Sequence, residues 1–398
     1  MMMRLKRENY VLLILLSLCS TLGFAQKDEF TPVVASLLAS GVQPFPGTDG
    51  KQHVVYELVL TNANATPAKV QKIEVLDAAK PSQTIRSFES NELQSHLRTT
   101  GSSGVENTDI EFNGTRIFLV DLAIDASMVP SRLLHRLTVA GGSTPSRTPG
   151  TPVEMTYTAA PVELQAKLMT IGPPLTGRGW IAVNGCCNPG EHRATSLPVN
   201  GQIYFAQRYA IDYMLMDKAG HLVNGNAADV HSYPGYGADV IAVADGKVVS
   251  AMNTLDDQVP GRLPDPKTIT LENVDGNHVV MDLGKGVYAF YAHMQKGSVK
   301  VEPGALVKRG QVLGKLGNTG NTSAPHLHFH LMNSPSVTGS SGIPYMIDSF
   351  TWIGEIPEEV FEKATGVEGD FSTAIAATPS ARHGQLPLDL AIVDFGRK

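Results

Sequence analysis

His326-Leu327-His328-Phe329-His330 sets three imidazoles at a spacing of two, with apolar side chains between them. In an extended strand, alternate residues share a face. The run therefore predicts a strand with three rings on one side and Leu327 and Phe329 turned into a packed layer. Such a strand presents nitrogen ligands and a proton acceptor side by side. The segment before it, Gly317-Asn318-Thr319-Gly320-Asn321-Thr322-Ser323-Ala324-Pro325, is turn chemistry throughout. A polar loop feeding a histidine-bearing strand reads as the rim of a site.

Working outward, strands are expected over residues 203–216, 240–251, 278–283 and 287–293, with a last one within 386–393 and a short helix over 357–365. Asp245-Gly246 and Gly284-Lys285-Gly286 are hairpin-turn signals. Residues 30–157 also read as β: strands over 54–60, 70–76, 110–112, 116–122 and 133–139, punctuated by Gly, Pro, Ser and Asn, with one helical patch over 90–97. Many short strands with turn punctuation suggest a β-sandwich. The fold class is all-β. The expected segments are a signal peptide over 1–25, a sandwich-like domain over 26–160, and a bridge over 161–180. A second β-sheet domain over 181–354, which holds the histidine strand, and a C-terminal extension over 355–398 follow.

Net charge is −6 and no basic run stands in the mature region, so nucleic-acid binding has no electrostatic support. Arg4, Lys6 and Arg7 precede a short apolar run, and Gly23-Phe24-Ala25 offers small residues for cleavage before Gln26. No later stretch is long enough to span a bilayer. The expectation is an exported protein, periplasmic or extracellular. Cys186 and Cys187 are adjacent. A vicinal disulfide, two free thiols and an intermolecular link are all compatible with them, whereas a zinc-finger pattern is not.

Ala210-Ile211-Asp212, Gly237-Ala238-Asp239-Val240, Tyr291-Ala292-His293, Val307-Lys308-Arg309-Gly310-Gln311, Gly317-Asn318-Thr319-Gly320 and His326-Leu327-His328-Phe329 occur in that order. This series resembles the lysostaphin-like (LytM-type) zinc endopeptidases, which cut peptide cross-links of bacterial peptidoglycan. The resemblance implies an antiparallel lysostaphin-like sheet, a zinc cofactor and peptidoglycan peptides as substrate. It also implies Asp212 and His328 as zinc ligands, and His293 and His326 as catalytic residues flanking the attacking water. The chemistry agrees: zinc takes nitrogen and carboxylate ligands, and a catalytic site keeps a position open. A neutral imidazole can move a proton to the leaving amine.

The chain departs from the pattern at the third ligand. The family usually has histidine four residues before the aspartate, and here Arg208 stands there. A guanidinium has no free lone pair and stays charged, so it cannot ligate a cation. His192 is the candidate substitute, on a strand expected over 191–198 that Asn200-Gly201 joins by a hairpin turn to one over 202–212. A loop of Val199-Asn200-Gly201 sets His192 opposite Arg208. A loop of Asn200-Gly201 alone sets it opposite Tyr209, pointing the other way. His330 is expected to support His328 from behind, where the family commonly has glutamate. Arg208, Tyr233 and Tyr236 are candidate substrate contacts. Two functions fit: a zinc metalloendopeptidase of the cell envelope, or a degenerate, metal-free module that binds peptidoglycan or regulates an amidase.

Overall fold

The structure is a computed structural model that describes residues 28–145, 147–364 and 369–396. The signal segment and its cleavage point lie outside the described residues. Thr31–Lys398 forms one compact unit. Among the described residues, no helix is long and apolar enough to cross a membrane.

The front half contains two five-stranded antiparallel sheets. One orders Val33–Leu37, Gln52–Asn62, Thr115–Ile124 and Leu97–Arg98. The other orders Val153–Glu163, Arg132–Gly141, Ala68–Asp77 and Lys80–Glu89. Val54, Tyr56, Leu58 and Leu60 of the first sheet share a core with Val70, Ile73, Val75, Leu137 and Val139 of the second. This is the sandwich that the spacing of short strands predicts. The expected helical patch is the helix Ser90–His96.

The second half is built on a twelve-stranded sheet. Its centre runs Arg178–Val183, Ile211–Leu215, Leu327–Met332, Tyr288–Met294, Asn277–Asp282 and Gly246–Met252, each antiparallel to its neighbour. The strand Ala391–Asp394 lies between Tyr345–Glu355 and Arg178–Val183, so the end of the chain is part of this sheet. Leu327, Phe329 and Leu331 point into its main core with Ile211, Tyr213, Tyr291 and Tyr345. The histidines between them are thereby forced onto the opposite face.

Three expected elements differ. The strand read over 203–216 is two, Gln202–Tyr204 and Ile211–Leu215. Between them the chain makes turns, with Arg208 N–H donating to Phe205 O and Ala210 N–H to Gln207 O. The strand read over 240–251 is also two, Asp239–Ile241 and Gly246–Met252, which pair in different sheets, so Asp245-Gly246 turns no hairpin. Finally, Glu191–Ala194 is a helical turn and only Leu197–Val199 is strand. Cys186 and Cys187 are joined to each other as a vicinal disulfide.

Candidate metal centre and catalytic groove

Register builds the centre. Asp212 is paired with His328 across one ladder, and His328 with Ala292 across the next. Directly opposed residues share a face, so the carboxylate and the imidazole meet: His328 Nδ1 lies 2.9 Å from Asp212 Oδ1. His192 arrives from the turn Glu191–Ala194, with Nε2 3.3 Å from Asp212 Oδ2. One donor atom from each of His192, Asp212 and His328 lies within 4.8 Å of the others, and all three residues are buried. Two imidazole nitrogens and one carboxylate are the donor set of a catalytic zinc site.

The outer hydrogen bonds orient these donors. His192 Nδ1–H donates to the carbonyls of Asn184 and Ala210 at 3.0 and 3.2 Å, which leaves the Nε2 lone pair turned to Asp212. Asn184 Nδ2 donates to Asp212 Oδ2 at 2.9 Å. His328 Nε2 is 3.1 Å from His330 Nδ1, so His330 stands behind His328, and its own Nε2 is buried with no partner. Burial would raise the Asp212 carboxyl, but His192 and His326 beside it hold it well below the usual carboxylate range. Burial, reinforced by His328, keeps the His330 ring neutral.

His326 and His293 complete the arrangement. His326 Nδ1–H donates to Ala324 O at 2.7 Å, and its Nε2 is 3.3 Å from Asp212 Oδ1. His293 Nδ1–H donates to Thr319 O at 2.8 Å. The two rings meet edge to face at 4.7 Å between centroids. His293 Nε2 therefore keeps a lone pair free for a proton, whereas His326 Nε2 faces the Asp212 carboxylate; burial would lower the pKa of that ring, but Asp212 raises it and favours the imidazolium. His293 has a backbone φ of 61°, fixed by its N–H to Asp275 O and by its carbonyl accepting from Gly317 N. His192, Asp212, His293, His326 and His328 line a groove of about 710 Å³, and His330 does not. Leu263, Ile269, Leu271 and Val274 form one apolar wall, and Asn321, Thr322, Ser323 and Thr338 are among its polar residues. Asp275 also lines it, its carboxyl pushed up to about 7 by burial.

Three expected substrate contacts are corrected. Arg208 does not face the groove. Its Nε and Nη2 bind Glu57 at 2.8 and 2.6 Å and its Nη1 donates to Gly342 O, because a buried guanidinium needs a carboxylate and the sandwich supplies one. Tyr233 is buried in an apolar cluster, its hydroxyl on Ala227 O. Tyr236 is tied to Asp257 and Gln295. Neither tyrosine is among the residues lining the groove.

The register argument for His192 also fails, although His192 reaches the site. The loop is the two-residue Asn200-Gly201, since Val199 pairs with Gln202. Counting outward would then turn His192 away. The ladder ends at Leu197 and Tyr204, however, and the helical turn beyond it brings His192 back. Sequence reasoning missed Asn184, Asp275 and Glu57. Only Glu57 leaves a signal: a lone carboxylate inside the apolar run Val54-Val55-Tyr56-Glu57-Leu58-Val59-Leu60.

Residues 227–339 match the model of Peptidase family M23. That window holds His293, His326 and His328 and leaves out His192, Arg208 and Asp212. Glycyl-glycine endopeptidase ALE-1 of Staphylococcus capitis is 34% identical over 111 residues, which are 28% of this chain and 25% of that protein. Peptidoglycan DD-endopeptidase ShyA of Vibrio cholerae is 42% identical over 57 residues, 14% of this chain and 13% of that one. The chain thus spans a quarter or less of the length of these curated relatives. Among solved structures, the catalytic domain of lysostaphin from Staphylococcus simulans aligns with 42% of this chain and 84% of its own, at 23% identity and a TM-score of 0.22. With its ordered motifs and the family match over the histidine strands, the chain contains a Peptidase family M23 domain of the lysostaphin (LytM) type.

Proposed function

We propose that this protein is a zinc metalloendopeptidase of the cell envelope that hydrolyses peptide cross-links of peptidoglycan. The observation that carries the reading is the convergence of His192, Asp212 and His328 donor atoms within 4.8 Å. His192 and Asp212 are both oriented by hydrogen bonds from outside the set. Zinc fits this donor set, and when bound it supplies polarisation of a carbonyl and a nucleophile from water near neutral pH. The chain's own residues do the rest. The apolar wall and the polar rim hold an extended peptide across the groove. His326 or His293 accepts the proton lost by water as its oxygen attacks the peptide carbonyl. The resulting imidazolium returns that proton to the nitrogen as the C–N bond breaks.

The metal-free reading rested on Arg208. Arg208 turns into the sandwich and His192 takes the vacated approach to Asp212, so this substitution does not itself empty the site. Metal analysis of the purified protein, with digestion of purified peptidoglycan, tests the proposal. One zinc per chain is expected, lost in His328→Ala and in His192→Ala. His326→Ala should keep zinc and lose turnover. A wild-type protein with no zinc and no cleavage would overturn the enzyme reading in favour of the binding or regulatory module.

A further inference from the structure

The turn that carries His192 is only four residues long, and so short a helix has no stability of its own. Its anchor is the next residue. Arg193 is buried and reaches into the sandwich, where Nη1 binds Glu57 Oε1 at 2.5 Å. Its Nη2 donates to Tyr56 O at 2.8 Å and to Val120 O at 3.3 Å. The same Glu57 carboxylate takes both bonds from Arg208. Arg208 stands two residues before Ala210, whose carbonyl accepts from His192 Nδ1. Both sides of that orienting hydrogen bond are thus tethered to one carboxylate of another sheet.

We propose that Glu57, on the sandwich strand Gln52–Asn62, is a positioning residue of the metal centre: by clamping Arg193 and Arg208 together it holds His192 against Asp212. This rests on the reading of His192 as a ligand. Glu57 is the charge that makes the arrangement tenable. Two guanidiniums are buried side by side, and without a carboxylate between them they repel, uncompensated, in a medium that penalises each. Burial would raise the Glu57 carboxyl, yet Arg208 and Arg193 hold it below its ordinary value, so it stays ionised. Arg208 then acquires a meaning. It is half of the device that replaces the ligand whose position it occupies. The sheet bearing Asp212 and His328 does not complete its own ligand set; a turn anchored to the sandwich does.

The test uses the full chain and zinc itself. Chelator competition measures zinc affinity for wild type, Glu57→Gln and Val70→Ala, the last a sandwich-core position on the sheet that does not carry Glu57. Cobalt(II) replacing zinc reports ligand number through its visible spectrum. Glu57→Gln is expected to bind zinc about 10- to 100-fold more weakly, with an altered cobalt spectrum. Val70→Ala should lose stability and keep both readouts. A folded Glu57→Gln with wild-type zinc affinity and spectrum overturns the proposal and leaves the peptidase reading standing. If Glu57→Gln does not fold, Arg193→Met replaces it. That variant removes the tether of the turn to Glu57 and leaves the carboxylate paired with Arg208, and wild-type affinity there overturns the proposal equally. A wild type that holds no zinc removes the peptidase reading first, and this inference with it.

Discussion

His293 occupies left-handed backbone, where a side chain with a Cβ is strained, and the strain sits beside the proposed catalytic groups. Three bonds hold it there: its N–H to Asp275 O, its carbonyl from Gly317 N, and its ring to Thr319 O. Glycine adopts this conformation without cost. His293→Gly should therefore be more stable than His293→Ala by about 1 kcal/mol in denaturant unfolding, with both inactive. Equal stabilities would show that the backbone is not strained. His192 makes a different point at this scale. Its residue type marked it as a candidate ligand in the sequence, but its route to Asp212 was not legible there. The route depends on where a ladder stops: the pairing ends at Leu197 and Tyr204, and the chain turns between Phe205 and Ala210.

The strand Gln52–Asn62 serves two neighbours by simple alternation. Val54, Tyr56, Leu58 and Leu60 fill the sandwich, while His53, Val55 and Glu57 face the second half. A strand buried on both faces reads as a continuous apolar run, and over 54–60 this one does except at Glu57. The segment between Gly246–Met252 and Asn277–Asp282 has the opposite character. It leaves Leu263 and Leu271 more than 60% exposed (64% and 63%) at the wall of the groove. Exposed leucines that line a groove gain by covering with substrate. Leu271→Ser should raise KM about five-fold, the worth of roughly 1 kcal/mol of apolar contact, and leave kcat and zinc content unchanged. An unchanged KM would remove this wall from the substrate path.

Across the whole molecule, the sandwich core carries a pH dependence of its own. His135 is fully buried, with Nδ1–H donating to Ala160 O and Nε2 accepting from the Tyr56 hydroxyl. Burial pushes its pKa down from 6.5 to about 4. The unfolded chain therefore takes up a proton between these values that the folded chain does not. Stability falls as pH drops through that window, by about 1.4 kcal/mol per unit and roughly 3 kcal/mol in all. His135→Gln keeps a donor and an acceptor but does not titrate. Denaturant unfolding near pH ~7 and pH ~4.5 should show wild type losing roughly 2 to 3 kcal/mol more than this variant. Parallel losses would assign the effect elsewhere. Because Glu57 ties the sandwich to the turn carrying His192, acid damage to the front half should reach the metal centre.

Much of this was legible in the chain itself. Alternation at 326–330 set three imidazoles on one strand face, and the ordered motifs around it pointed to the domain type. Asp212 and His293 were identifiable because each sits in a short local motif whose neighbours share one strand. The sandwich was readable from the spacing of its strands. What the tertiary structure alone decided was the third side of the centre: that Arg208 turns away, that His192 comes round from a helical turn, and that Glu57 holds both. Local periodicity reports which way a residue points within its own element. It does not report which distant charge a buried guanidinium will find, and here that partner lies 136 and 151 residues away from Arg193 and Arg208 along the chain.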